Sequence, residues 1–101
     1  MHKQVVWSPA AEKDLEKILE YLKLFWNMSV LSRFINKTDD SITLIVDNPK
    51  IFPLINKELN IRKSVITKQN TLYYREKNDT IEIVRLFDTR QDPHKLIFLK
   101  K

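Results

Sequence analysis

The chain has 101 residues with no glycine and no cysteine, and 18 Lys/Arg against 13 Asp/Glu give a formal net charge of +5. An average chain of this length carries about seven glycines. Phosphate-cradling loops of the P-loop or dinucleotide type need glycine where the backbone approaches an anion or takes positive φ, so those nucleotide enzymes are excluded. Without cysteine there is no disulfide framework, thiolate zinc site, iron–sulfur cluster or cysteine nucleophile, and with His2 and His94 as the imidazoles no metal site and no cofactor are expected.

The length fits one domain over 1–101, and 43% hydrophobic residues suffice for a single core. The longest stretch free of charged residues, Leu24 to Ser32, is nine residues, and Met1 to Trp7 is no signal peptide. Both features predict a soluble, cytoplasmic protein with no membrane partner. The charge is uneven: eight Lys/Arg balance eight Asp/Glu over residues 1–60, whereas ten face five over 61–101. The basic excess therefore belongs to the second part of the chain, where it is either an ordinary solvated surface or a site for an anionic partner.

Val5-Val6-Trp7 reads as a short strand. Ser8 is placed to cap a helix whose first position is Pro9, where a missing N–H costs nothing. Apolar residues at Ala11, Leu15, Ile18, Leu22 and Phe25 then recur at helical spacing, with charged residues opposite, which predicts an amphipathic helix over 9–26. Glu12, Glu16 and Glu20 form a row on its polar face and read as solvated. After the link Asn27-Met28-Ser29, Leu31, Phe34, Ile35, Thr38, Ile42, Ile45 and Val46 mark a second helix, stopped at Asn48-Pro49 because a residue before proline is pushed out of the α region. The two form an antiparallel helical hairpin, which needs a further layer to cover its apolar stripes.

That layer follows the loop Pro49 to Pro53. Three runs have strand character, Ile61 to Lys68, Thr71 to Lys77 and Thr80 to Phe87, joined at Gln69-Asn70 and Asn78-Asp79, where Asn and Asp tolerate φ > 0 better than other non-glycine residues. Ile81, Ile83, Val84 and Leu86 are apolar on both alternations, which makes the last run a central strand with the N-terminal strand on its far side. The expected class is α+β: an N-terminal strand and a helical hairpin packed on a three- to four-stranded, mainly antiparallel sheet. The segment Leu96-Ile97-Phe98-Leu99 is apolar enough to require docking on the sheet or on a partner.

Local motifs accompany this order: Val6-Trp7-Ser8-Pro9-Ala10-Ala11 with Asp14-Leu15 and Ile18, then Leu72-Tyr73-Tyr74-Arg75, Ile81-Glu82-Ile83-Val84-Arg85-Leu86 and Asp88-Thr89-Arg90-Gln91-Asp92-Pro93. From Val5 to Lys95 the chain resembles the RelE/ParE toxin family of type II toxin-antitoxin systems, known also from plasmid stabilisation. The resemblance implies one of two growth-inhibiting activities on one scaffold. RelE-like members are ribosome-dependent mRNA endonucleases; ParE-like members poison DNA gyrase. In either case it implies a cognate antitoxin as partner, in a toxin-antitoxin hetero-oligomer.

Cleavage of RNA through the 2′-hydroxyl needs a base, an acid for the leaving oxygen, and cations for the phosphate. Of the residues the resemblance assigns to this in RelE-like toxins, Arg62 matches a basic position on the first meander strand and Arg90 the arginine after the third. The other first-strand position is Ser64, the arginine that opens the second strand is Thr71, no tyrosine follows Tyr74, and His94 is not at the family's histidine position. The set is incomplete, which favours a ParE-like gyrase inhibitor, with Arg62 and Arg90 as catalysts only in the alternative, an enzyme acting on ribosome and mRNA. A third alternative is a degenerate toxin kept as a protein-binding module.

The expected target-binding residues are Arg62, Tyr74, Arg75, Arg85 and Arg90. Of Tyr73 and Tyr74, one is expected in the core and the other on the open face, and Arg85 has Glu82 or Asp88 within reach for a structural salt bridge. Arg90, on a turn at the end of a central strand, is the leading functional residue. Phe25, Trp26 and Phe34 gather where the helices turn and are expected either to fill the hairpin core or to anchor an antitoxin.

Overall fold

The computed structural model of the chain describes residues 3–96. Strand β1 (Gln4–Trp7) leads into helix α1 (Pro9–Phe25) and helix α2 (Met28–Asp47). Then come β2 (Leu54–Asn56), β3 (Ile61–Thr67), β4 (Asn70–Lys77) and β5 (Thr80–Asp88), and a short 3₁₀ turn over Pro93–Lys95. The strands form one sheet in the order β1-β5-β4-β3-β2. β1 runs parallel to β5, from Gln4 opposite Thr80 to Trp7 opposite Ile83, and the remaining pairs are antiparallel. The expected α+β class holds. The sheet has five strands rather than three or four, because Leu54–Asn56 adds an edge strand beside β3.

Ser8 starts α1 as expected: its side chain accepts the Ala11 N–H at 3.0 Å, and the same hydroxyl donates to the Val84 carbonyl at 2.8 Å. One residue therefore caps the helix and continues the edge of β5 past the end of β1. Asn27 caps α2 by accepting from Val30 N. Helix α1 ends on the extended residue Trp26 and α2 on Asn48 with φ of -146°, so neither end requires a left-handed residue of a chain without glycine.

The helices lie on one face of the sheet, where Ala11, Ile18, Phe34 and Ile45 pack with Ile66, Leu72, Tyr74, Ile81, Ile83 and Leu86. A smaller cluster of Ile61, Tyr73, Phe87 and Leu96 gathers separately, flanked by Ile55 and Val84. Tyr73 and Tyr74 thus belong to different clusters, as strand alternation requires. Neither stands on an open face, however: both are buried, because Leu96 closes over the cluster containing Tyr73. The rest of the apolar terminal segment, Ile97 to Leu99, lies outside the described residues. The register of β4 against β5 slips between Tyr73 and Tyr74, opposite Val84. This bulge resets the alternation so that Ile81, Ile83 and Leu86 share one cluster.

The first meander turn differs from the expectation. Lys68 and Gln69 make it, and Asn70 is already in β4. Thr67 Oγ1 accepts the Gln69 N–H at 3.1 Å and donates to Asn70 Oδ1 at 2.9 Å, so side-chain bonds shape this turn without a left-handed residue. The positive φ values fall on Asn60 and Asn78, each at 57°. Asn78 is where the second turn was expected to need one.

Candidate functional site

Where α1 and α2 diverge from the sheet, a cleft of about 510 Å³ opens against the end of β5 and the β3–β4 turn. Ile18, Leu22, Phe34 and Leu86 contribute its apolar lining, and Tyr21, Trp26, Lys17, Arg33, Asn70 and Arg90 supply aromatic and polar groups. The volume lies within the range typical of small-molecule sites.

Arg90 is held in a preset pose. Its Nε and Nη2 donate to the two Asp88 carboxylate oxygens at 2.9 and 2.6 Å, and the Arg90 N–H also donates to Asp88. The guanidinium lies over the Tyr21 ring, 4.9 Å from the centroid, with Nη1 3.4 Å from the phenol oxygen. Thr89 ties the turn down through N–H and hydroxyl bonds to the Gln69 and Lys68 carbonyls. The Arg90 hydrogen bonds pull the Asp88 carboxyl below its usual range and lower the Tyr21 phenol as well, while Asp88 raises the guanidinium further. Arg90 is a fixed, half-exposed cation on the cleft rim.

The other residues expected to bind a target have structural partners. Arg62 donates to the Phe52 carbonyl at 2.8 Å, and its cross-strand neighbour Tyr74 donates its hydroxyl to the Pro49 carbonyl at 2.8 Å. Together they fasten the 49–53 loop, and burial pushes the Tyr74 phenol up. Arg75 pairs with Glu82 at 2.6 Å. Arg85 pairs neither with Glu82 nor with Asp88: it makes a two-pronged contact with Asp14 on α1, at 2.7 and 2.9 Å, which raises its guanidinium further. Asp14 also accepts the Leu86 N–H at 3.1 Å, completing the β5 edge that β1 leaves uncovered. Ser64, at the position matched to a basic catalyst, is buried and bonded to Ser41 of α2 at 2.7 Å.

The three aromatic residues expected to meet an antitoxin divide. Phe34 is 4% exposed and belongs to the core, whereas Phe25 and Trp26 are 69% and 57% exposed. Leu24 and Met28 stand out of the same hairpin tip, and Tyr21 packs on Phe25 with ring centroids 5.1 Å apart. Several side chains that define the cleft, Lys17, Tyr21, Arg33 and Asn70, were not singled out from the sequence. Lys17 and Arg33 lie on separate helices and Asn70 reads as a turn residue, so only the packing brings them together. Among the described residues, no group of His, Asp and Glu could hold a metal ion, and no helix is long and apolar enough to cross a membrane.

Comparison with known proteins agrees with this architecture. The family model for the ParE toxin of type II toxin-antitoxin system, parDE, matches residues 5–93. This chain belongs to that ParE toxin family. No curated protein matches the sequence. Among solved structures, the chromosomal ParDE toxin-antitoxin system from P. aeruginosa superposes with a TM-score of 0.69 at 12% identity, covering 85% of this chain and 95% of that one. The YoeB/ParE toxin from Agrobacterium tumefaciens gives 0.62 at 15% identity, with 84% and 96% covered. The E. coli DinJ-YafQ toxin-antitoxin complex gives 0.59 at 15%, with 89% and 96% covered. At these identities the likeness is one of fold.

Proposed function

We propose that this toxin acts in the cytoplasm as a non-catalytic inhibitor of DNA gyrase and is neutralised by a cognate antitoxin in a hetero-oligomer. The observation that carries the non-catalytic reading is the engagement of the cations that nuclease chemistry would use. Arg62 clamps a loop, Arg90 is paired in two-pronged fashion with Asp88, and Ser64, where a further basic group is called for, is sealed under α2. Phosphate chemistry needs positive groups preorganised toward the place where charge develops on the phosphate, and here the two guanidiniums are directed at acceptors of the scaffold itself. The exposed Phe25 and Trp26, with Leu24 and Met28, supply the apolar anchors an antitoxin segment needs. Solved relatives of this fold include toxin-antitoxin complexes, which supports that partner.

Induced expression without antitoxin tests the reading. Growth arrest with altered plasmid supercoiling and DNA breaks is expected. Cleavage of mRNA at ribosomal A-site codons would replace it with the nuclease reading through Arg62 and Arg90, and normal growth with folded protein present would remove the toxin reading altogether. Arg90→Ala should weaken toxicity several-fold with the circular dichroism spectrum unchanged.

A further inference from the structure

We infer that the cleft beside Arg90 is a binding site for a nucleotide group, an aromatic base carrying a phosphate. The two carboxylates on its lining are already neutralised, Asp14 by Arg85 and Asp88 by Arg90. Lys17 and Arg33, from the two helices, have no carboxylate partner among the described residues, so the cleft carries an uncompensated positive charge. Asn70 is the second, independent sign. It is 8% exposed and lines the cleft; its Oδ1 is bonded by Thr67, and its Nδ2 has no partner among the described residues. Among the described residues no fully buried side-chain nitrogen or oxygen lacks a partner, so that Nδ2 keeps an opening to solvent, in a residue that lines the cleft.

Every uncommitted polar group named here is therefore a donor: a lysine, an arginine and an amide nitrogen. They ask for an acceptor-rich anion, and an unsatisfied donor in a nearly buried site gains most from one. The aromatic groups set the rest of the ligand. Trp26 offers an exposed indole, Arg90 stacked on Tyr21 offers a second flat surface, and Ile18, Leu22 and Leu86 provide apolar lining. A planar base with a phosphate meets both demands, base against aromatic and apolar surface, phosphate toward Lys17 and Arg33. An acidic peptide would use the cations but leave the flat surfaces without a matching ring. The inference is independent of the gyrase reading, since it concerns what the cleft holds and not what the toxin inhibits.

The test is calorimetric titration of the full chain with adenosine 5′-monophosphate, adenosine, ribose 5-phosphate, inorganic phosphate, a 5′-phosphorylated single-stranded tetranucleotide and a glutamate-rich peptide. Adenosine 5′-monophosphate should bind, with adenosine and ribose 5-phosphate each at least about tenfold weaker, one charge-assisted hydrogen bond or one stacking contact being worth about that factor. Arg33→Ala and Trp26→Ala, both at exposed positions, should each weaken it about tenfold while the folded spectrum is retained. If the tetranucleotide binds much tighter than the mononucleotide, the source is a nucleic-acid end; equal binding assigns a free nucleotide. Binding of inorganic phosphate as tight as that of the mononucleotide, tighter binding of the acidic peptide, no binding at millimolar concentrations, or indifference to Arg33→Ala would each overturn the inference.

Discussion

Replacing Asp14 probes the joint that holds α1 to the end of β5. Its carboxylate accepts from Arg85 Nε, Arg85 Nη2 and Leu86 N, and the two side chains are only 12% and 21% exposed. Asp14→Ala removes all three bonds at once, leaving a largely buried guanidinium and a strand-edge N–H without partners. Breaking a fully buried pair from one side costs about 3–5 kcal/mol, and the residual water contact here reduces that to about 2–3 kcal/mol. For a chain near this length such a loss lowers Tm by roughly 10–20 °C. Asp14→Asn keeps an acceptor for Leu86 N and the same volume, so it should lose about half as much. Urea unfolding followed by circular dichroism, with Arg85→Leu and the double variant completing a cycle, measures both losses and their coupling, expected at about 1.5 kcal/mol. A loss below about 0.5 kcal/mol for Asp14→Ala, the level of an ordinary surface change, or zero coupling, would refute the reasoning.

Three further outcomes follow from other contacts. Because Arg90 holds the Asp88 carboxyl below its ordinary value, the pair contributes stability above about pH 4, the ordinary aspartate value, and loses it as the pH falls through the lowered one. Asp88→Asn should therefore be less stable than the parent at pH 7 and converge with it in acid, measured by thermal melts across pH. Ser64→Ala, by orphaning Ser41, should cost about 1–2 kcal/mol in urea unfolding, while Ser41→Ala combined with Ser64→Ala recovers part of it. Ser64→Lys, which buries a charge under α2, should cost more than either and should not create nuclease activity. At Asn78, with φ of 57°, Gly should be neutral or stabilising in thermal melts, while Val should cost about 1–2 kcal/mol.

Much of the fold was legible because it is written in short-range terms. The Ser8-Pro9 helix start, the 3.6-residue stripes of both helices and the Asn78 turn each depend on neighbours within a few positions. The double alternation of Ile81, Ile83, Val84 and Leu86 read correctly as a strand with neighbours on both sides, and the bulge opposite Val84 is its physical origin. The turn at Lys68-Gln69 was misplaced by one residue because Thr67, with no positive φ to offer, shapes it by side-chain bonding. β2 escaped notice as a three-residue strand that exists only by pairing with β3. The cleft was least legible. Arg90 stood out as a cation on a turn, but its pairing with Asp88, its stacking on Tyr21, and the meeting of Lys17, Arg33 and Asn70 depend on how the hairpin seats on the sheet. Asp14 and Arg85 are 71 positions apart, and no local pattern announces such a partnership.

The parallel pairing of β1 with β5 joins Gln4 to Thr80, the two outermost strands in chain order. Closing a loop of that length adds little to the equilibrium cost, which grows only logarithmically, but it slows folding because the contact rewards the chain late. On a ribosome, both helices are synthesised long before β5 emerges, so their apolar stripes wait uncovered while the sheet that should receive them is incomplete. The scaffold is thus closed only when its last strand arrives. Arg90, two residues beyond that strand, takes its place over Tyr21 only when that closure is made, so no shorter nascent form of this chain can present the finished cleft.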